Sequence, residues 1–95
     1  MEISLKNEKK KLFEMVLSSP GMSENCKISF KINRQNALLL CRIIESAILS
    51  RQEVLKDNVL DALSENSISE IKAIHEEILK KAGLTEFYDK LKLLQ

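Results

Sequence analysis

The chain has 95 residues, of which 44% are hydrophobic and 31% are charged, and its formal net charge is +1. This composition is typical of one small globular domain, and we predict a single compact domain over residues 1–95. The near-neutral charge gives no overall attraction to nucleic acid or membranes, and no segment approaches the roughly 18 uninterrupted apolar residues that span a bilayer. Only two glycines and one proline occur, which favours helices over an all-β fold.

The N-terminal segment allows two interpretations. Residues 1–6 alternate apolar and polar side chains, which predicts a short strand followed by a helix. The second interpretation is one helix from residue 2 to residue 18, which we rank lower because of the alternation. Both end at the loop of residues 18–25, where Pro20 cannot continue a helix and Gly21 suits a positive φ.

Residues 26–32, CKISFKI, carry the clearest strand pattern in the chain. Every second residue is apolar, which predicts one buried and one solvated face. A single strand leaves its backbone donors and acceptors unpaired, so it needs a partner. That partner is either residues 1–6 or the same strand of a second copy of the protein.

The most apolar helix is predicted over residues 34–50, with Asn33 as its N-cap. Its apolar side chains fill an arc wider than half the helix, which indicates that neighbouring elements cover most of its surface. The pattern leaves open whether the helix continues to about residue 56. A break near residues 50–57 is the alternative.

The C-terminal third is predicted to be helical. Residues 59–63 indicate a short helical turn, and Ser67 with Glu70 fits a capping box for a helix that extends to residue 82. Gly83 suits the residue that follows a helix end, and Thr85 can cap a last helix. The residues predicted to form the buried side of that helix are Phe87, Leu91 and Leu94.

These elements together predict an α+β domain that is predominantly helical. Four to five helices surround the central apolar helix (34–50), and residues 1–6 and 26–32 form a small two-stranded β element. The central helix is expected to lie between the N-terminal segment and the helix over residues 67–82.

The residues that could carry chemistry are few. His75 is the only histidine and lies in the middle of an apolar helical face, so we expect a buried neutral imidazole. Cys26 and Cys41 form no CxxC motif, and we expect both to be reduced and buried, as in a cytoplasmic protein. We therefore predict no catalytic residues, no cofactor and no metal site, and a protein that is not an enzyme.

We interpret the chain as a small non-enzymatic protein-interaction or regulatory protein that self-associates or binds another protein, with no membrane partner. The candidate interface residues are Met22, Ile28 and Phe30. The alternative is a nucleic-acid-binding accessory protein that uses a basic cluster. Its candidate contacts are Lys9, Lys10, Lys11, Lys27, Lys31 and Arg34. We rank it second because acidic residues interrupt the cluster and no exposed aromatic side chain is expected there to stack on bases.

Overall fold

The fold is predominantly helical, as predicted. The computed structural model describes the backbone of residues 2–49 and 57–95 and the side chains of residues 8–49 and 57–95. Within these ranges the chain forms α1 (Glu2–Leu17), α2 (Arg34–Ile44), α3 (Asn58–Asp61), α4 (Glu65–Ala82) and α5 (Thr85–Leu93). A five-residue π-helix, Glu45–Leu49, continues α2. No helix in the described ranges is long and apolar enough to cross a membrane.

The predicted two-stranded element is not confirmed, because none of the described residues lies in a strand. Residues 2–6 lie within α1, as in the interpretation that we ranked second. Alternation over six residues is a short signal, and a helix that has formed over the following residues extends backwards at little cost. Residues 25–33 form neither helix nor strand, and they run without a turn or bend.

The central helix begins where predicted and is largely covered. Asn33 Oδ1 accepts a hydrogen bond of 2.7 Å from Asn36 N, which confirms the N-cap. On the outer side of α2, Leu39 is 50% exposed and Ile43 is 61% exposed. Most of the other residues from 37 to 49 are buried or partly buried, so the helix is covered over most of its length after its first turn, with Leu39 and Ile43 as exceptions. The possible continuation to residue 56 lies outside the described residues.

The ends of α4 show one correction and one confirmation. The N-cap is Ser64, whose Oγ accepts from Ser67 N at 3.1 Å, so the predicted cap at Ser67 lies three residues too late. At the other end Gly83 has φ +69°, and Leu84 N donates to Leu79 O at 2.9 Å. Together with the bond from Gly83 N to Lys80 O, this forms a Schellman motif, as the glycine indicated.

The last helix buries a different face from the predicted one. Tyr88 is 1% exposed, whereas Phe87 is 54% exposed and Leu94 is 84% exposed. Leu84, not Thr85, occupies the N-cap position, and no side chain caps this helix. The buried face carries the Tyr88 hydroxyl, which makes long-range hydrogen bonds. The spacing of apolar residues in the sequence does not predict such bonds.

The core is small and lies where α2, α4 and the start of α5 meet. Its buried residues are Ala37, Cys41, Leu79, Leu84 and Tyr88. α1 packs against α3 instead of joining this core. The radius of gyration is 15.8 Å, above the roughly 12 Å of a compact chain of this length. Much apolar surface therefore stays exposed within one copy of the chain.

Candidate functional site

An apolar groove of about 790 Å³ lies between residues 28–34 and α4. Three of its lining side chains are well exposed, with Ile28 at 72%, Phe30 at 62% and Ile74 at 52%. Ile32 is 43% exposed in the same groove. Adjacent exposed apolar side chains of this size are typical of an interaction surface.

Arg34 anchors the end of the groove to α4. Its Nε donates to the carbonyl of Ala82 at 3.0 Å, and its Nη2 donates to the carbonyl of Gly83 at 3.3 Å. These carbonyls lie at the C-terminus of α4, where a positive charge is stabilised by the helix dipole. The guanidinium group therefore has a structural role, because it fixes the end of the extended segment relative to α4.

The charge of the groove is weakly positive. Lys31 and Arg34 line it together with Lys81, whose Nζ lies 3.1 Å from Glu77 Oε1. The ion pair between Lys81 and Glu77 is exposed, so it contributes little to stability. Three cations and the carboxylate of Glu77 leave a net charge of +2 on the lining of the groove, whose surface is otherwise mainly apolar.

A polar cluster on the other side of the core surrounds Tyr88. The Tyr88 hydroxyl donates to Glu45 Oε2 at 2.6 Å, and the Cys41 carbonyl lies 3.3 Å from it as a second acceptor. Arg42 Nη1 lies 2.7 Å from Glu45 Oε2, and Lys92 Nζ lies 3.1 Å from Glu45 Oε1. The carboxylate is therefore held by one hydroxyl and two cations, which tie α2 and the π-helix to α5.

The protonation of this cluster follows from its contacts. Burial raises the pKa of Tyr88 to about 12, and the hydrogen bond to Glu45 acts in the same direction. Burial also opposes the ionised form of Glu45, but hydrogen bonds from Tyr88 and Lys92 and the charges of Lys92 and Arg42 outweigh it, so the pKa of Glu45 is lowered. Near neutral pH the phenol is neutral and the carboxylate is ionised.

His75 and Cys41 lie against the same tyrosine. His75 is 5% exposed, which confirms the expected burial, and its Nε2 lies 3.4 Å from the Tyr88 hydroxyl oxygen. Because that hydroxyl gives its proton to Glu45, the imidazole Nε2 is the donor in this contact. Burial, together with the charge of Glu45, raises the pKa of the Cys41 thiol, so the thiolate is disfavoured.

The predicted interface residues are exposed. Ile28 and Phe30 line the groove, whereas Met22, which is 56% exposed, lies in the turn that precedes it. Cys26 is exposed, so the expectation that both cysteines are buried is wrong for this one. The physical reason is that residues 26–32 pack no apolar face into the core of their own chain.

The predicted basic cluster is divided between two parts of the fold. Lys9, Lys10 and Lys11 lie on α1, which packs against α3, whereas Lys27, Lys31 and Arg34 belong to the segment beside α4. Phe30 is 62% exposed between two of these lysines, so an aromatic side chain able to stack on a base is present after all.

Sequence reasoning missed the cluster around Tyr88. Arg42 lies near the end of α2 and Glu45 begins the π-helix, and their side chains are only 25% and 21% exposed. Two signals were present: the spacing of Arg42 and Glu45 by three residues on a helix, and the single tyrosine of the chain. Neither signal indicates that Tyr88 and Glu45, which lie 43 residues apart in the sequence, are in contact.

In the described ranges no three His, Cys, Asp or Glu side chains come together in a way that could hold a metal ion. The chain matches no protein-family model, no curated protein and no solved structure.

Proposed function

We propose that this protein is a small non-enzymatic interaction protein that self-associates through the groove between residues 28–34 and α4. The observation that carries the proposal is the row of exposed apolar side chains at Ile28, Phe30 and Ile32 beside Ile74. Burying such side chains against a second surface is the main source of association free energy.

The polar cluster supports a structural role over a catalytic one. The raised pKa values of the Tyr88 phenol and the Cys41 thiol disfavour their nucleophilic anions, and the lowered pKa of Glu45 makes its carboxylate a weaker base. Every buried side-chain nitrogen and oxygen among the described residues has a hydrogen-bond partner. The contacts of the cluster join α2 and the π-helix to α5, which is the role that we assign to it.

The proposal is tested by light scattering on two matched phenylalanine variants. Phe30→Glu places a charge in the groove, and Phe87→Glu places the same charge on α5, where the side chain is similarly exposed. Burying the exposed part of Phe30 is worth about 1–2 kcal/mol, so its loss alone raises the dissociation constant about 5- to 30-fold.

We expect Phe30→Glu to dissociate at concentrations where the unmodified protein and Phe87→Glu remain associated. Equal dissociation of the two variants would show that the groove is not the interface. A monomer at every concentration for the unmodified protein would overturn self-association itself.

Nucleic-acid binding is the second candidate, and the observation that favours it is the exposed Phe30 between Lys27 and Lys31. Such an arrangement can stack one base and contact neighbouring phosphates. We would measure fluorescence anisotropy with a single-stranded oligonucleotide across a salt series. This candidate predicts that Lys31→Gln reduces the salt dependence, while Lys10→Gln on α1 leaves it unchanged. Affinity that neither variant alters would exclude it.

A further inference from the structure

We propose that the groove is completed by residues 28–32 of a second copy, which pair antiparallel with residues 28–32 of the first copy so that Phe30 lies opposite Phe30. This inference rests on the proposed function and specifies its partner and geometry. It predicts a two-stranded ribbon across a two-fold axis, with one strand from each chain.

The backbone of this segment has no hydrogen-bond partner in the described part of the chain. No backbone N–H or C=O of residues 26–32 makes a hydrogen bond to any described residue. The segment runs without a turn or bend into Asn33, whose backbone is extended with φ −77° and ψ 168°. Unpaired and unbent backbone at a surface is a template for strand addition from another chain.

The side-chain pattern restricts the possible pairings. Apolar side chains alternate with polar ones, so apolar residues of the two chains meet on one face only when odd residues pair with odd and even with even. In an antiparallel pair of identical strands, this condition requires one residue to lie directly opposite its own copy. The candidates in the middle of the segment are Ile28, Ser29 and Phe30.

Charge and packing select among these pairings. With Ser29 at the centre, Lys27 of each chain lies opposite Lys31 of the other, and like charges directly opposite are destabilising. With Phe30 at the centre, Lys31 lies opposite Ser29, and Lys27 lies opposite Asn33. A lysine at the centre would lie opposite itself. Only the pairings centred on Ile28 and Phe30 therefore avoid opposed lysines.

The apolar contacts favour Phe30 over Ile28 as the centre. A pairing centred on Phe30 stacks the two rings and sets Ile28 of each chain against Ile32 of the other. A pairing centred on Ile28 instead sets Ile32 opposite Glu24, a charged residue at the bend before the segment. The Phe30 register is thus the one in which all three exposed apolar side chains meet apolar partners.

The choice of a second copy as the occupant follows from this self-complementarity. The residues two positions before and two positions after Phe30 are both apolar, Ile28 and Ile32. In the Phe30 register each lysine lies opposite a neutral polar residue. The segment therefore satisfies its own pattern without a partner of different sequence. If this segment instead binds a different peptide or single-stranded nucleic acid, no disulfide forms between copies at residues 28–30.

Disulfide trapping tests the register directly. In a Cys26→Ser background, we would compare Ile28→Cys, Ser29→Cys and Phe30→Cys under mild oxidation; the remaining Cys41 is fully buried and does not compete. Only a residue that lies opposite its own copy brings two sulfur atoms within bonding distance, since diagonal neighbours are about 7–8 Å apart. We expect Phe30→Cys alone to shift from 10.9 kDa to twice that mass on a non-reducing gel.

A second measurement keeps Phe30 in place, in case its loss weakens association. In the same background, Ser29→Cys and Lys31→Cys are mixed, with one of them tagged. Residues 29 and 31 lie opposite each other in the Phe30 register, so we expect a mixed disulfide to exceed both self-disulfides.

The outcomes separate this inference from the proposed function. A dimer by light scattering that traps at Ile28→Cys or Ser29→Cys, at all three positions equally, or at none would overturn the Phe30 register while self-association stands. A monomer by light scattering would overturn both.

Discussion

Replacing Tyr88 by phenylalanine removes one hydroxyl group and leaves the ring in the core. The lost bond to Glu45 is short, 2.6 Å, and its acceptor is ionised. Hydrogen bonds to charged groups contribute about 1.5–3 kcal/mol to stability. We therefore expect Tyr88→Phe to reduce the free energy of unfolding by about 2 kcal/mol, measured by urea denaturation with circular dichroism.

The pH dependence of the same residue gives a second magnitude, which includes the cost of ionising a buried phenol. Burial, with the hydrogen bond to Glu45, raises the pKa of Tyr88 from 10.0 to about 12, which corresponds to about 2.7 kcal/mol between the neutral and the ionised phenol. Because the folded pKa is raised, this stabilisation is complete below pH 10 and is lost as the pH rises toward 12. The Tyr88→Phe variant has no phenol to ionise, so it lacks this decrease in stability at alkaline pH.

The assay for Tyr88 is unusually direct, because the chain has one tyrosine and no tryptophan. Tyrosinate absorbance therefore reports Tyr88 alone, and we expect its native midpoint near pH 12 and its midpoint in urea near pH 10. Phe87→Tyr in a Tyr88→Phe background moves the single tyrosine to the exposed neighbouring position and provides a control that titrates normally. A native Tyr88 midpoint near pH 10, or a Tyr88→Phe variant as stable as the unmodified protein, would refute the reasoning.

Three further changes test other parts of the fold. Glu45→Gln lacks the carboxyl group whose pKa is lowered on folding. Its free energy of unfolding should therefore decrease less than that of the unmodified protein as the pH falls below 4.5. Parallel acid unfolding curves for the two proteins would contradict this. Gly83→Ala places a side chain at φ +69°, and since the new Cβ meets nothing within 4 Å, only the backbone cost of about 1–2 kcal/mol is expected in urea denaturation. Asn33→Ala removes the cap of α2 and should cost about 1 kcal/mol in the same assay, whereas Asn66→Ala, in the first turn of α4, should cost little; equal costs would argue against the cap.

Local features of the fold were predictable from the sequence. The cap at Asn33 and the helix end at Gly83 are set by bonds between residues within five positions of each other, so their residue types carry the signal. The predominance of helix followed from the same kind of local pattern. The start of α4 was misplaced because Ser64 and Ser67 are both suitable caps, and the sequence alone does not rank them.

Long-range features were not predictable. Tyr88 contacts Glu45 because α4 folds back on α2. A polar contact between residues 43 apart produces no periodic pattern in the sequence. Residues 26–32 show the opposite situation, a clear sequence pattern without a corresponding contact. Their strand pattern is strong, yet within the described part of the chain they pair with nothing. The proposed pairing with a second copy would supply the partner that this pattern requires.

Pairing of the extended segment with a second copy of the chain protects its backbone amides. Amide hydrogen exchange of residues 27–33, measured at high concentration and after dilution, detects that protection. We expect slow exchange for alternate amides at high concentration and fast exchange once the protein has dissociated. Fast exchange of these amides at every concentration would contradict this pairing.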